Sequence, residues 1–126
     1  MNRWLRRRPL LCLWLPVVAW MGLIFYLSAQ PDLPHPETKW ADLLVSSGAH
    51  AFMFAVLAVL WVRTLGERSR AWLVALVLTL LYALSDEFHQ AFVPGRTPDP
   101  LDLLCDGCGA ILGLCGWVGL QCKPED

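Results

Sequence analysis

Four apolar segments, each near the length that crosses a bilayer, leave this chain few ways to fold. A spanning helix needs about 20 predominantly apolar residues. Leu10–Leu27 is almost free of polar side chains, and Leu43–Val62 is interrupted only near its start by Ser46, Ser47, Gly48 and His50. Ala71–Leu84 is apolar and continues in helical register to Phe92, and a last run occupies Pro100–Leu120. The links read as breaks. Gln30–Asp42 contains Pro31, Pro34 and Pro36, and proline lacks the amide donor and clashes with the preceding turn. Val93-Pro94-Gly95-Arg96 has proline and glycine where a type II turn wants them. Asp99 then suits an N-cap and Pro100 the first helical position. The expectation is an all-α, integral membrane bundle of four transmembrane helices, roughly 10–28, 43–62, 71–92 and 100–120, forming one domain over residues 1–126.

The opening also looks like a signal peptide, with Leu27-Ser28-Ala29 as a passable cleavage site. Its apolar run is longer than the usual segment of about 7–15 residues, and further membrane segments follow, so it is read as a retained first helix. An even number of spans puts both termini on one side. Arg3, Arg6, Arg7, Arg8, Arg63, Arg68, Arg70 and Lys123 fall on that side, against Lys39 and Arg96 on the other. Basic residues concentrate on the cytoplasmic face, so both termini are expected in the cytoplasm. Trp61, Trp72 and Trp117 fall near the same interface, where tryptophan belts sit.

A net charge of −1 implies no nucleic-acid partner. The five cysteines are an odd number, mostly in or beside apolar runs, unlike a secreted disulfide framework. Cys105 and Cys108 read as two residues one helical turn apart rather than as a redox or metal pair.

Against this background the stretch Thr79–Gly113 is unusual: its two apolar runs meet at Asp86, Glu87, His89, Gln90, Arg96, Asp99, Asp102 and Asp106. Ionisable groups are costly within a bilayer and mark functional sites. Ser28, His50, Asp86–Gln90, Arg96, Asp102 and Asp106 come from all four helices or their links, and the topology gathers them at the outer end. Steps of three and four residues align Thr79, Tyr82, Asp86, His89 and Gln90 on one helix face, and Asp102, Asp106, Gly109, Gly113 and Gly116 on another. Gly109-x-x-x-Gly113 signals close helix packing. A short turn near Arg96 makes the last two helices antiparallel neighbours. It pairs Gln90 with Asp102, Asp86 with Asp106, Tyr82 with Ala110 and Thr79 with Gly113, with a cation or donor between the two aspartates.

Several chemistries fit. Asp86, Glu87, His89 and Asp106 are candidate catalytic acids and bases. Ser28, His50, Gln90, Arg96 and Asp102 are candidate ligand-binding residues, with the Arg96 guanidinium suited to an anionic head group. Asp86, His89 and Asp106 could hold a divalent metal. Asp99 reads as a cap alone, and the same polar groups could simply lock the bundle. No H-E-x-x-H, P-loop, G-x-S-x-G or dinucleotide fingerprint is present.

The run Ser85-Asp86-Glu87-Phe88-His89-Gln90, the turn Phe92-Val93-Pro94-Gly95-Arg96, and Asp102 followed by Gly109-Ala110 and Gly113 together resemble the VanZ-like family. Phe25-Tyr26-Leu27-Ser28-Ala29-Gln30-Pro31 and His50 are similar to the family's first-helix end and second-helix histidine. Two positions depart: Ser47 stands where the family often has lysine, and Asp106 where it has asparagine. Both make the polar cluster more acidic, which favours metal binding or a shared proton. The resemblance implies a small multi-pass protein of the bacterial cytoplasmic membrane, in a family whose founding member is associated with resistance to the glycopeptide teicoplanin. It implies no established reaction. Two functions are consistent with it: a site for an anionic lipid-linked or cell-envelope ligand, or a non-enzymatic protein affecting envelope organisation or antibiotic susceptibility through helix–helix partners. Whether it is an enzyme, and its oligomeric state, stay open.

Overall fold

A computed structural model describes residues 9–31, 36–66 and 68–122. Arg3, Arg6, Arg7, Arg8, Pro34 and Lys123, used above, lie outside the described residues. The described chain is all-helical: α1 is Leu10–Ser28, α2 is Lys39–Leu65, α3 is Ala71–Gln90 and α4 is Pro100–Gln121. All four are long and apolar enough to cross a membrane.

The boundaries follow from local chemistry. α2 starts four residues earlier than its apolar run suggests, because the Thr38 hydroxyl accepts from the Ala41 amide at 3.4 Å and caps the helix. Thus Lys39–Asp42, expected as linker, is helical. α3 stops at Gln90, and Ala91 and Phe92 belong to the turn. That turn is the expected one: the Arg96 amide donates to the Val93 carbonyl at 3.1 Å, and Gly95 has φ of 81°, a left-handed value that glycine adopts without steric cost. Asp99 caps α4, its carboxylate accepting from the Leu101 amide at 2.9 Å.

α1 packs against α2 and α3, while α4 packs most extensively against α2 and also touches α3. Two apolar clusters fill the interior. Val17, Ile24, Phe54, Leu57 and Ala83 join α1, α2 and α3, and Ala58, Val62, Ala71, Ala75, Ala110 and Leu114 join α2, α3 and α4. Trp61 and Trp117 border the second cluster, at the Arg63 end. Leu44, Phe52, Phe88 and Leu112 point outward, as the lipid-facing side of a membrane bundle requires.

α1 and α4 are held by different means. Pro16, inside α1, has no amide hydrogen for the Cys12 carbonyl four residues back. Arg63 of α2 donates to that carbonyl at 3.2 Å, and Thr64 donates to the Leu13 carbonyl at 3.0 Å. The Trp20 indole donates to the Met53 carbonyl at 2.8 Å, and the Tyr82 hydroxyl to the Met21 carbonyl at 2.6 Å. α4 instead approaches α2 through its glycines. A Cβ at Gly109 would collide with the Ala51 carbonyl, and one at Gly113 would come within 2.6 Å of the Ala55 carbonyl oxygen. The glycine face therefore serves α2, not α3. Tyr82, expected opposite Gly109–Ala110, borders the α1–α2–α3 cluster instead. The sequence pairing treated the last two helices as an isolated hairpin, whereas the bundle sets α2 against the small-residue face.

Gly109→Ala is expected to destabilise the bundle by about 1–3 kcal/mol, the usual range for overpacking. Gly113→Ala should cost less, and Gly116→Ala, which meets open space, should be close to neutral. Unfolding in mixed detergent micelles measures the order; equal effects at the three sites would contradict the α2–α4 contact.

Candidate functional site

The ends of α1 and α3, the N-terminal half of α2 and the start of α4 meet on one side of the bundle. His50 of α2 is its centre. Its Nδ1 lies 2.8 Å from Asp106 Oδ1 and its Nε2 lies 3.7 Å from Asp102 Oδ2. Asp102 and Asp106 stand one turn apart on α4, so both carboxylates face the same neighbour. The Asp106 side chain is fully buried. A buried carboxylate without a partner costs several kcal/mol, and the His50 imidazole is its partner. Asp86 of α3 is also buried; the Ser28 hydroxyl of α1 faces its carboxylate, and His50 and Arg96 lie within electrostatic reach.

The neighbouring polar residues divide by direction. Glu87 accepts from the Asp99 amide at 3.1 Å, so a side chain of α3 ties down the start of α4. His89 stacks on the Phe25 ring of α1, with centroids 4.2 Å apart. Arg96 donates from Nε to the Gln30 carbonyl at 2.8 Å and from Nη2 to the Leu27 carbonyl at 3.3 Å. These carbonyls sit at and just beyond the end of α1, where acceptors have capacity to spare; that of Leu27 also accepts from the Gln30 amide at 3.2 Å. Arg96 thus holds α1 to the α3–α4 turn with part of its guanidinium.

A cavity of about 660 Å³ opens beside these groups. Ser28, His50, Asp86, Gln90 and Arg96 line it together with apolar Ile24, Leu27, Met53 and Phe54. Glu87, His89, Asp102 and Asp106 are not among its lining residues. The wall also contains Asp42 and Ser46, which the sequence reading did not select. Asp42, Ser46 and His50 are spaced four residues apart, one helix face. That spacing was readable, but it carries weight only if the helix starts before Leu43. Five of the nine sequence candidates therefore meet at the cavity. Glu87, Asp102 and Asp106 gather around His50 outside the cavity's lining, and His89 sits at the α1–α3 seam.

Four buried carboxylate or imidazole atoms here have no hydrogen-bond partner: Asp86 Oδ1, Glu87 Oε1, His89 Nδ1 and Asp106 Oδ2. Buried polar atoms of native proteins nearly always find partners, so these mark places for water, a proton or a ligand. Asp86 and Asp106 both face inward, and each lies within electrostatic reach of His50. The donor expected between them is thus shared out, with His50 against Asp106 and Ser28 beside Asp86. Asp86, His89 and Asp106 do not form a group with mutually close ligand atoms; among the described residues, the group that does is His50, Glu87 and Asp102. Cys105 and Cys108 are free thiols.

Residues 13–121 match the family described as VanZ/LLP1. No curated protein and no solved structure matches the chain.

Replacing Asp106 separates charge from hydrogen bonding. Asp106→Asn keeps an acceptor for His50, whereas Asp106→Leu strands the imidazole and is expected to cost about 1–3 kcal/mol more, the penalty of an unsatisfied buried group. A double-mutant cycle with His50→Leu, measured by unfolding in detergent with a chelator present, should show coupling of at least about 0.5 kcal/mol. Additive effects would remove the pair as a stabilising contact.

Proposed function

Because the chain belongs to the VanZ/LLP1 family, we propose that this multi-pass membrane protein binds an anionic lipid-linked cell-envelope ligand in the cavity beside Asp86, at the outer leaflet of a bacterial cytoplasmic membrane. The observation that carries the reading is the cavity's two-part wall. Ile24, Leu27, Met53 and Phe54 offer an apolar side, and Ser28, His50, Asp86, Gln90 and Arg96 a polar end. Such a wall suits an amphiphile, with its chain against the helices and its head group at the polar end. Arg96 brings the positive charge. Two of its five donors are held by the Leu27 and Gln30 carbonyls, and the rest can meet phosphate or carboxylate oxygens. Gln90 and Ser28 add neutral hydrogen bonds. Asp86 has the position of a general base toward a ligand hydroxyl, but binding alone accounts for the geometry. The outer placement rests on basic residues: Arg63, Arg68 and Arg70 cluster at the end away from Arg96, the asymmetry of a cytoplasmic face. Glycopeptide resistance is a property associated with the family, and the site does not depend on it.

Lipids that copurify with the full chain in mild detergent, identified by mass spectrometry, test the binding. Arg96→Ala and Asp86→Ala should each lower the copurified anionic lipid at least about tenfold, the effect of about 1.4 kcal/mol. Ala49→Trp, which fills the cavity from its α2 wall without removing a polar group, should do the same. Unchanged lipid in all three monodisperse variants would reject the cavity and favour a non-enzymatic role through helix–helix partners.

Orientation has its own check. In a cysteine-free variant, a single cysteine at Thr97 should react with an impermeant maleimide added outside the cell, and one at Ser69 should not. The opposite pattern would place the cavity at the inner leaflet.

A further inference from the structure

We propose that His50, Glu87 and Asp102 bind a divalent transition-metal ion, with Asp106 orienting the imidazole from behind. One ligand atom from each of the three lies within 4.8 Å of the others. Three helices supply them, α2, α3 and α4, so the set arises from the bundle and not from one acidic run.

The imidazole is the informative member. At 2.8 Å, Asp106 Oδ1 accepts a hydrogen bond from Nδ1–H, and in the neutral imidazole this leaves the Nε2 lone pair facing outward from that contact. What Nε2 faces is another acceptor, Asp102 Oδ2 at 3.7 Å. A lone pair opposed to a carboxylate repels it unless a cation lies between them. A proton is a poor fit, since charge-assisted hydrogen bonds of this kind span about 2.7–2.9 Å. A metal ion fits better. Bonds of about 2.0–2.2 Å in tetrahedral geometry separate two ligand atoms by roughly 3.3–3.6 Å. A carboxylate behind a ligating histidine is the usual support for such a site.

Two buried atoms add independent weight. Asp106, with a side chain exposed by 0%, keeps Oδ2 without a hydrogen-bond partner. Glu87 Oε1 is also buried and unpartnered, while its Oε2 holds the Asp99 amide. Among the described residues no lysine or arginine forms an ion pair with Glu87, Asp102 or Asp106, and the Arg96 guanidinium donates to the Leu27 and Gln30 carbonyls. Three carboxylates around one imidazole in an apolar bundle exceed the single positive charge that the imidazole can carry, and a divalent ion supplies more. One nitrogen and two carboxylate oxygens favour zinc, manganese or iron over calcium or magnesium, which prefer all-oxygen shells. The inference stands apart from the cavity reading. His50 alone belongs to both, and Asp86 and Arg96 have no part in the metal site.

Cobalt(II) titration of the chelator-stripped full chain in detergent micelles tests it. The expected result is visible d–d absorption that saturates at about one ion per chain, is displaced by zinc, and lacks a thiolate charge-transfer band. Glu87→Gln and Asp102→Asn should each weaken binding at least about tenfold, and Asp106→Asn about 10–100-fold. Glu87 and Asp102 are half-buried at the bundle end, so these near-isosteric variants keep the comparison valid where His50→Ala does not fold. Arg96→Ala should bind cobalt as the parent does, whatever its effect on copurified lipid. No saturable binding, a thiolate band, or parent-like affinity in both Glu87→Gln and Asp102→Asn would overturn the assignment.

Discussion

Hydrocarbon offers no hydrogen bonds, so every backbone and side-chain polar group in this bundle must be answered from within it. This requirement decides how the helices are joined. α1 and the residues just after it present carbonyls that the helix does not fully use, at Cys12 because of Pro16 and at Leu27 and Gln30 because the helix ends. Arg63 and Arg96 reach these from opposite ends of the bundle. α4 joins α2 by backbone approach at Gly109 and Gly113, between the buried side chains of Asp106 and Leu114. Close packing of small residues is, with interhelical hydrogen bonds, an attraction available between helices in lipid, and the closest backbone approach is where the chain also buries Asp106.

That coincidence positions the site. Gly109 sits one turn below Asp106, and its contact with Ala51 fixes the distance between α2 and α4 at the depth of His50, which is Ala51's neighbour. A wider spacing there would part the imidazole from its carboxylate. The close packing and the polar cluster are therefore one construction. Asp86 is held separately, by α1 and the turn, and its cavity shares only His50 with the cluster on α4. Two polar regions with different partners thus lie side by side at one end.

The sequence made the helices legible because length, hydropathy and breaking prolines all agreed. Asp99-Pro100 and Pro94-Gly95 were readable because capping and turn chemistry act over a few residues. The start of α2 was not, since Thr38 outranked the polarity of Lys39 and Asp42, and with it the Asp42–Ser46–His50 face went unnoticed. Inward placement of Asp86, Asp102 and Asp106 followed from helical spacing. Their partners did not, because spacing within α3 and α4 says nothing about which third helix comes between. His50 alone on an apolar run gave no direction; its role depends on the α2–α4 register, set by glycines more than fifty residues away. Similarly, His89 shares a face with Asp86 by arithmetic, but Phe25 claims its ring.

Pro16 gives α1 a dependence on timing. Its missing amide leaves the Cys12 carbonyl to a guanidinium some fifty residues downstream. During synthesis α1 emerges well before Arg63 exists, and at that stage the carbonyl must turn to water or a lipid head group. The Arg63 contact itself can form only once the C-terminal end of α2 has been made and lies alongside α1. Proline in the first helix thus ties the start of α1 to the far end of α2, so that one carbonyl near the first turn depends on a side chain from the opposite end of the next helix.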